Sequence, residues 1–221
     1  MTPAAKHGSE PRGTTRSDQK ERTHERIIDS AARLLRASGI GRASVTEVMK
    51  GAGLTVGGFY AHFASKSRLV EETIRHALAD QRRKVFRSAE GASPEERLNH
   101  LFRVYLSRTH RDHPEEGCPL PAVVSEIAQA ERDERSAFVA ELDVHLSALE
   151  DLADPSGMAG MDRRTLALGL LCMLYGGLSL ARATKGTELS DEILKAARAF
   201  ARSAVGIKGS PAPHAPSKRK K

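Results

Sequence analysis

Two sets of side chains in this sequence could do chemistry. The first lies between Ser44 and Lys66, where Thr55, Gly58, Tyr60 and His62 alternate with the apolar residues Val56, Phe59 and Phe63. Three- and four-residue spacing puts Val56, Phe59 and Phe63 on one side of a helix and turns the hydroxyl, phenol and imidazole outward. The second centres on Cys118, in Gly117-Cys118-Pro119, with His110, Arg111 and His113 just before it. Pro119 suits the first position of a helix, and a thiol at that positive end, near cationic neighbours, is biased toward the reactive thiolate. Glu115 and Glu116 oppose this, and the plainer alternative is a small buried residue closing a loop. His110, His113 and Cys118 can be drawn as three metal ligands, but their spacing matches no usual zinc signature. No metal or other cofactor is expected. Cys172, inside an apolar helix, reads as packing.

The elements that must position the first set are written in the same segment. Ser44 and Glu47 have the spacing of a capping box opening a helix on which Val45, Val48 and Met49 share a face. Gly51-Ala52-Gly53 ends it with a sharp turn, and Thr55 suits the N-cap of the next helix. A preceding helix runs from about Asp18 or Thr23 to Ser38, with Ile27, Ala31, Leu34 and Leu35 inward and Gly39 as its stop. A second helix presented after so tight a turn is one that enters the major groove of a duplex.

The rest of the chain also reads as helix, with no sustained two-residue alternation, so the fold class is all-α with about nine helices. Helix 66–88 joins the first three to a larger body. Ser93-Pro94-Glu95-Glu96 opens another, Thr109 to Gly117 reads as a loop, and helices follow over about 119–130 and up to 152. Asp154-Pro155-Ser156-Gly157 is a break before two final helices, about 162–184 and 190–205. The apolar run Leu166–Ala181 holds three glycines and falls short of the ~20 residues of a membrane span, so a buried helix is expected. The expected domains are a disordered tail at 1–19, a helix-turn-helix domain at 20–66, a helical effector-binding and dimerisation domain at 67–207, and a disordered basic tail at 208–221.

Charge is divided in the same way. The chain of 221 residues has a net charge of +7, but residues 20–84 carry 13 Lys/Arg against 7 Asp/Glu, while residues 85–207 carry 14 against 19. A basic end on an acidic body fits a protein with one surface facing a polyanion. Two cysteines and no apolar leader point to a reducing, cytoplasmic setting without a disulfide framework or membrane anchor.

Gly53-Leu54-Thr55-Val56-Gly57-Gly58-Phe59-Tyr60-Ala61-His62-Phe63, with Ser65-Lys66, resembles the DNA-binding domain of the TetR family of bacterial transcriptional regulators, over about Thr23 to Leu78. The resemblance implies an operator-binding homodimer, paired through the two C-terminal helices as a four-helix bundle and answering to a small-molecule effector. It places Thr55, Val56, Gly58, Tyr60 and His62 along the DNA side, with Tyr60 and Lys66 on phosphates. Ser44 and Thr46 can hold phosphates through their hydroxyls. Base readout is thin: Thr55 can hydrogen-bond and Val56 can meet a thymine methyl if it turns outward. Gly57 and Gly58, where other members carry side chains, either allow close backbone approach or weaken readout in favour of DNA shape.

An effector pocket is expected between helices of the body, with Phe102, Tyr105, Val123, Ile127, His145, Met173 and Tyr175 as lining candidates and Cys118 as a possible redox or electrophile sensor. The Gly-Cys-Pro-Leu run at 117–120 also resembles a segment of some family members. The expected function is a DNA-binding regulator, in the first instance a repressor released from a palindromic operator by a small molecule or electrophile. The alternative is an architectural DNA-binding protein of weak sequence preference. No nucleophile–base pair, phosphate loop or metal set suggests an enzyme.

Overall fold

A computed structural model describes residues 15–87, 92–152 and 161–207. Among them are nine α-helices, two 310 helices and no strand. α1 (Arg16–Arg42) begins earlier than the sequence suggests, because Thr15 and Asp18 close a reciprocal capping box: Thr15 N–H donates to Asp18 at 2.9 Å and Asp18 N–H to Thr15 at 3.1 Å. The expected disordered tail therefore loses residues 15–19 to this helix, and residues 1–14 lie outside the described chain. Gly39 does break the helix, with φ +83, and a last turn follows it to Arg42. A side chain there would be strained and would also collide with Glu126 of the body.

α2 (Val45–Gly51) forms one arm of its expected cap, Ser44 Oγ accepting from Glu47 N–H at 3.2 Å. Gly53 carries the left-handed turn, φ +69. The next element is a 310 helix, Val56–Ala61, where an α-helix was expected. Two adjacent glycines explain the difference, since each costs about 1 kcal/mol against alanine in a helix. α3 (Lys66–Arg87) follows.

α4 (Pro94–Tyr105) opens with the capping box Ser93–Glu96 and Pro94 in its first turn, as its sequence predicts. The charged stretch expected to be loop instead holds a short α5 (Arg108–Asp112), capped by Ser107, and a 310 helix, Pro114–Glu116. α6 (Leu120–Ile127), α7 (Arg132–Glu150), α8 (Arg163–Ala183) and α9 (Glu188–Ala204) complete the body. The expected break at 154–157 and the basic tail from 208 lie outside the described residues.

Two apolar cores result. Ile27, Ile28, Val48, Met49, Phe59, Phe63 and Leu69 make the small core of the reader. Leu35, Val70, Ile74 and Leu78 join the large core of the body. α1 and α3 are thus shared between the two, and the boundary at residue 66 cuts a helix that is one mechanical piece. Buried Arg36 pins this sharing, with its guanidinium donating to Ala77 carbonyl at 3.1 Å and Asp80 at 2.7 Å. α8, at 21 residues, is long and apolar enough to cross a membrane, but Leu166, Ala167, Leu170, Leu174, Leu178 and Ala181 bury one side of it in the body. A core helix with one uncovered side is the simpler account.

Candidate nucleic-acid interface

The 310 helix hangs from two anchors. Phe59 and Phe63 are both buried, their rings stacked with centroids 5.5 Å apart. Spacing then decides the rest: Thr55, Val56, Gly57 and Tyr60 face solvent, Tyr60 with 78% of its surface exposed and its neighbour Phe59 edge-on at 5.2 Å. Val56 belongs to this outward set at 45% exposure, not to the core with Phe59. Thr55 occupies the N-cap position without making a cap hydrogen bond through its side chain. Its hydroxyl is not spent on the helix end.

A Cβ on Gly57 would meet nothing within 4 Å, and one on Gly58 would touch only Met49 at an ordinary 3.7 Å. The fold therefore does not require either glycine for packing. His62 departs from the expected outward placement. It is half-buried beside His24, ring centroids 6.0 Å apart, with Nδ1 buried and unpartnered. Burial lowers its pKa, helped by the positive influence of His24 and Lys20. His24 in turn stacks on Phe63 at 4.6 Å and meets Glu72 at 2.9 Å. His62 thus packs the reader to α1 and α3.

Thr46 and Lys66 are exposed and Ser44 is half-buried, all at the edges of the turn. Sequence reasoning missed Arg42 and Lys50, exposed at the end of α1 and the end of α2 and without an ion pair among the described residues. The signal was available: Arg42 lies two positions before the cap of α2, where an anion would already be favoured.

In the body, Phe102, Tyr105, Cys118, Val123 and Ile127 are buried in one core, with Met173 and Tyr175 packed against it. Tyr105 lines a cleft of about 390 Å³ with Lys84, Arg103, His110 and Gly117, whereas Met173 lines an apolar groove of about 440 Å³ with Leu170 and Phe200. His145 is buried in α7, and burial beside Arg82 lowers its pKa to about 4.

Cys118 is placed otherwise than its neighbours in sequence suggest. It is fully buried, one residue before Pro119, which caps α6, and burial raises its thiol pKa despite nearby Tyr105 and Arg182. His110 supplies no positive charge. Its Nδ1–H donates to Tyr105 carbonyl at 2.7 Å and its Nε2 accepts Cys118 N–H at 2.8 Å, so both nitrogens are committed to the neutral ring. Burial lowers its pKa to about 4. Gly117 is obligatory here, because a Cβ would lie 2.3 Å from the His110 ring. The expected bias toward thiolate is therefore reversed. Iodoacetamide should alkylate Cys118 in the folded protein at least tenfold more slowly than in urea-unfolded chain at pH 8. A native rate equal to or above the unfolded one would restore the reactive-thiol reading.

Cys172, expected inside, lies exposed on the uncovered side of α8. Gly169 and Gly176 share open surroundings, while Gly177 is the glycine that admits a neighbour, since its Cβ would fall 2.9 Å from Ala197 of α9. Leu168, Leu180, Leu189 and Phe200 are also exposed on this helix pair. No group of three or more metal-ligating side chains occurs among the described residues.

Residues 27–73 match the family model described as bacterial regulatory proteins, tetR family. Among solved structures, the reduced form of NemR from E. coli superposes with a TM-score of 0.70 at 19% identity, over 83% of this chain and 97% of that one. A TetR-family transcriptional regulator from Cytophaga hutchinsonii gives 0.71 at 19% identity, over 87% and 98%. A TetR transcriptional regulator from Chloroflexus aurantiacus gives 0.66 at 21% identity, over 82% and 95%. At these identities the likeness is one of fold. No match is found among curated protein sequences. Residues 27–73 thus carry the DNA-binding segment described for bacterial regulatory proteins of the tetR family, on a chain whose helical fold is that of solved TetR-family regulators.

Proposed function

We propose that the protein is a cytoplasmic repressor that binds a palindromic operator as a homodimer and leaves it when a small molecule binds the body. The observation that carries this reading is the 310 helix, whose Phe59 and Phe63 anchors turn Thr55, Val56 and Tyr60 to solvent together. Thr55 and Val56 read bases, Gly57 and Gly58 let the backbone approach them, and Ser44, Thr46, Tyr60 and Lys66 hold phosphates, with Arg42 and Lys50 beside them. Dimerisation through α8 and α9 would cover Leu168, Cys172, Leu180, Leu189 and Phe200, a set of exposed apolar side chains that water otherwise meets. Two-fold pairing of readers matches an inverted repeat. The effector must bind the DNA-free form more tightly, since equal affinity would shift nothing. No reaction is ascribed to the protein.

Selection of bound fragments from random duplexes tests the reading. One enriched inverted repeat is expected. Tight binding without enrichment would leave the architectural alternative, which the side-chain-free Gly57 and Gly58 favour. Tyr60→Phe separates the two kinds of contact: loss of its hydroxyl should weaken every duplex by a similar factor of about 3–10. An effect confined to one base position, read in a competition assay, would move Tyr60 to base recognition.

A further inference from the structure

Where reader meets body, α1, α5, the Pro114–Glu116 turn, α6 and the end of α8 surround an open cavity of about 650 Å³. Its charged lining is Arg36, Arg111, Arg182 and Lys185 against Asp112 and Glu115. Most of these charges are matched. Arg111 meets Asp112 at 2.9 Å and Asp191 at 3.0 Å, Lys185 meets Asp112 at 3.3 Å, and Arg36 meets Asp80 at 2.7 Å.

Arg182 is the exception. It has no ion pair among the described residues and gives one N–H to His110 carbonyl at 2.9 Å. The Nε atoms of Arg182 and of Arg36 are both buried and without a hydrogen-bond partner, and the Arg36 side chain is 95% buried. A buried guanidinium N–H left without an acceptor is costly, and the two residues that carry them both line this cavity. Burial is also the largest influence on Arg182 and lowers its pKa, although the Glu115 carboxylate acts on it in the opposite direction from beyond ion-pair distance.

We propose that this cavity binds a small organic carboxylate, received by Arg182 and supplied with a second donor by Arg36. A planar guanidinium matches a carboxylate through paired N–H groups. Arg182 forms no ion pair among the described residues and has Glu115 only as a more distant counter-charge, so a single negative charge suits it, while Asp112 and Glu115 in the lining disfavour a dianion such as phosphate. Ala37, Pro114, Pro121 and Ala122 offer an apolar wall for a short aliphatic chain. Because α1 and α8 both line the cavity, a bound carboxylate couples the reader to the body, and any change in DNA affinity is matched by an equal change in carboxylate affinity.

The test titrates butyrate into the full chain without DNA, at constant ionic strength with chloride, following heat of binding and Tm. This keeps it separate from the operator reading. Saturable butyrate binding is expected, at least tenfold weaker for butyramide, for inorganic phosphate and for Arg182→Gln. Glu115→Gln, a change at a half-buried lining side chain, should tighten butyrate severalfold and keeps the test decisive where Arg182→Gln does not fold. Equal binding of butyramide, tighter binding of phosphate, or butyrate affinity unaltered by Arg182→Gln or by Glu115→Gln would overturn the proposal.

Discussion

Lowering the pH from 7 to 4 should remove several kcal/mol of stability, most of it through two buried histidines. His110 and His145 are both buried with pKa values lowered to about 4, against an ordinary 6.5. In His110 the cause is also geometric. A proton on Nε2 would point at the Cys118 N–H that this nitrogen now accepts at 2.8 Å. Because the unfolded chain takes up these protons and the folded one resists them, their contribution is complete above pH 6.5. It is lost as pH falls through 6.5 toward 4. A difference of that size corresponds to roughly 3 kcal/mol for each ring, in a fold whose whole stability is on the order of 5–15 kcal/mol. His62 adds in the same direction. Asp112, held to about 2 by Arg111 despite some desolvation, and Asp80 and Asp191, also lowered, act only in a second window at lower pH. Urea midpoints measured at half-unit steps should give an uptake of close to two protons on unfolding near pH 5. His145→Gln should reduce it by one. Stability that stays level between pH 7 and 5 would mean that these rings are not held neutral.

The same histidine shows why local sequence misleads. His110 lies eight residues before Cys118, and read along the chain it is a cation that activates a thiol. Its state is set instead by burial and by the Cys118 N–H that its Nε2 accepts, neither of which spacing reveals. Elements with self-contained signals were legible: Ser93-Pro94 with Glu96, Gly39 and Gly53 as positive-φ stops, and the apolar faces of α1, α3 and α4. α5 was missed though Ser107 caps it, because charge density looked like solvent-facing loop. The solvent-facing side of the reader was legible wherever Phe59 and Phe63 fix the phase, and the spacing failed at Val56 and His62. Six residues of 310 helix do not keep an α-helical phase. The pair Arg36 and Arg182, far apart in sequence, leaves no trace until the helices meet.

Phe59→Ala should abolish DNA binding while leaving the body folded. Phe59 is 1% exposed and lies in a reader core of few large side chains, with Met49, Phe63 and Leu69. Truncating a buried phenylalanine costs about 3–5 kcal/mol, partly in lost transfer energy and partly in the cavity left behind. The element it supports has little stability of its own, since Gly57 and Gly58 weaken the turn and Thr55 adds no cap bond. The loss therefore falls on the 310 helix and on the outward placement of Thr55, Val56 and Tyr60 that the anchor enforces. α3 bounds the damage: Val70, Ile74 and Leu78 are held by the body core. Hydrogen exchange should speed by more than a hundredfold over residues 45–63 and change little over α7 to α9, with operator affinity falling at least as far. Equal acceleration in α8 would mean that reader and body unfold as one unit, and the shared helices α1 and α3 would then be the reason.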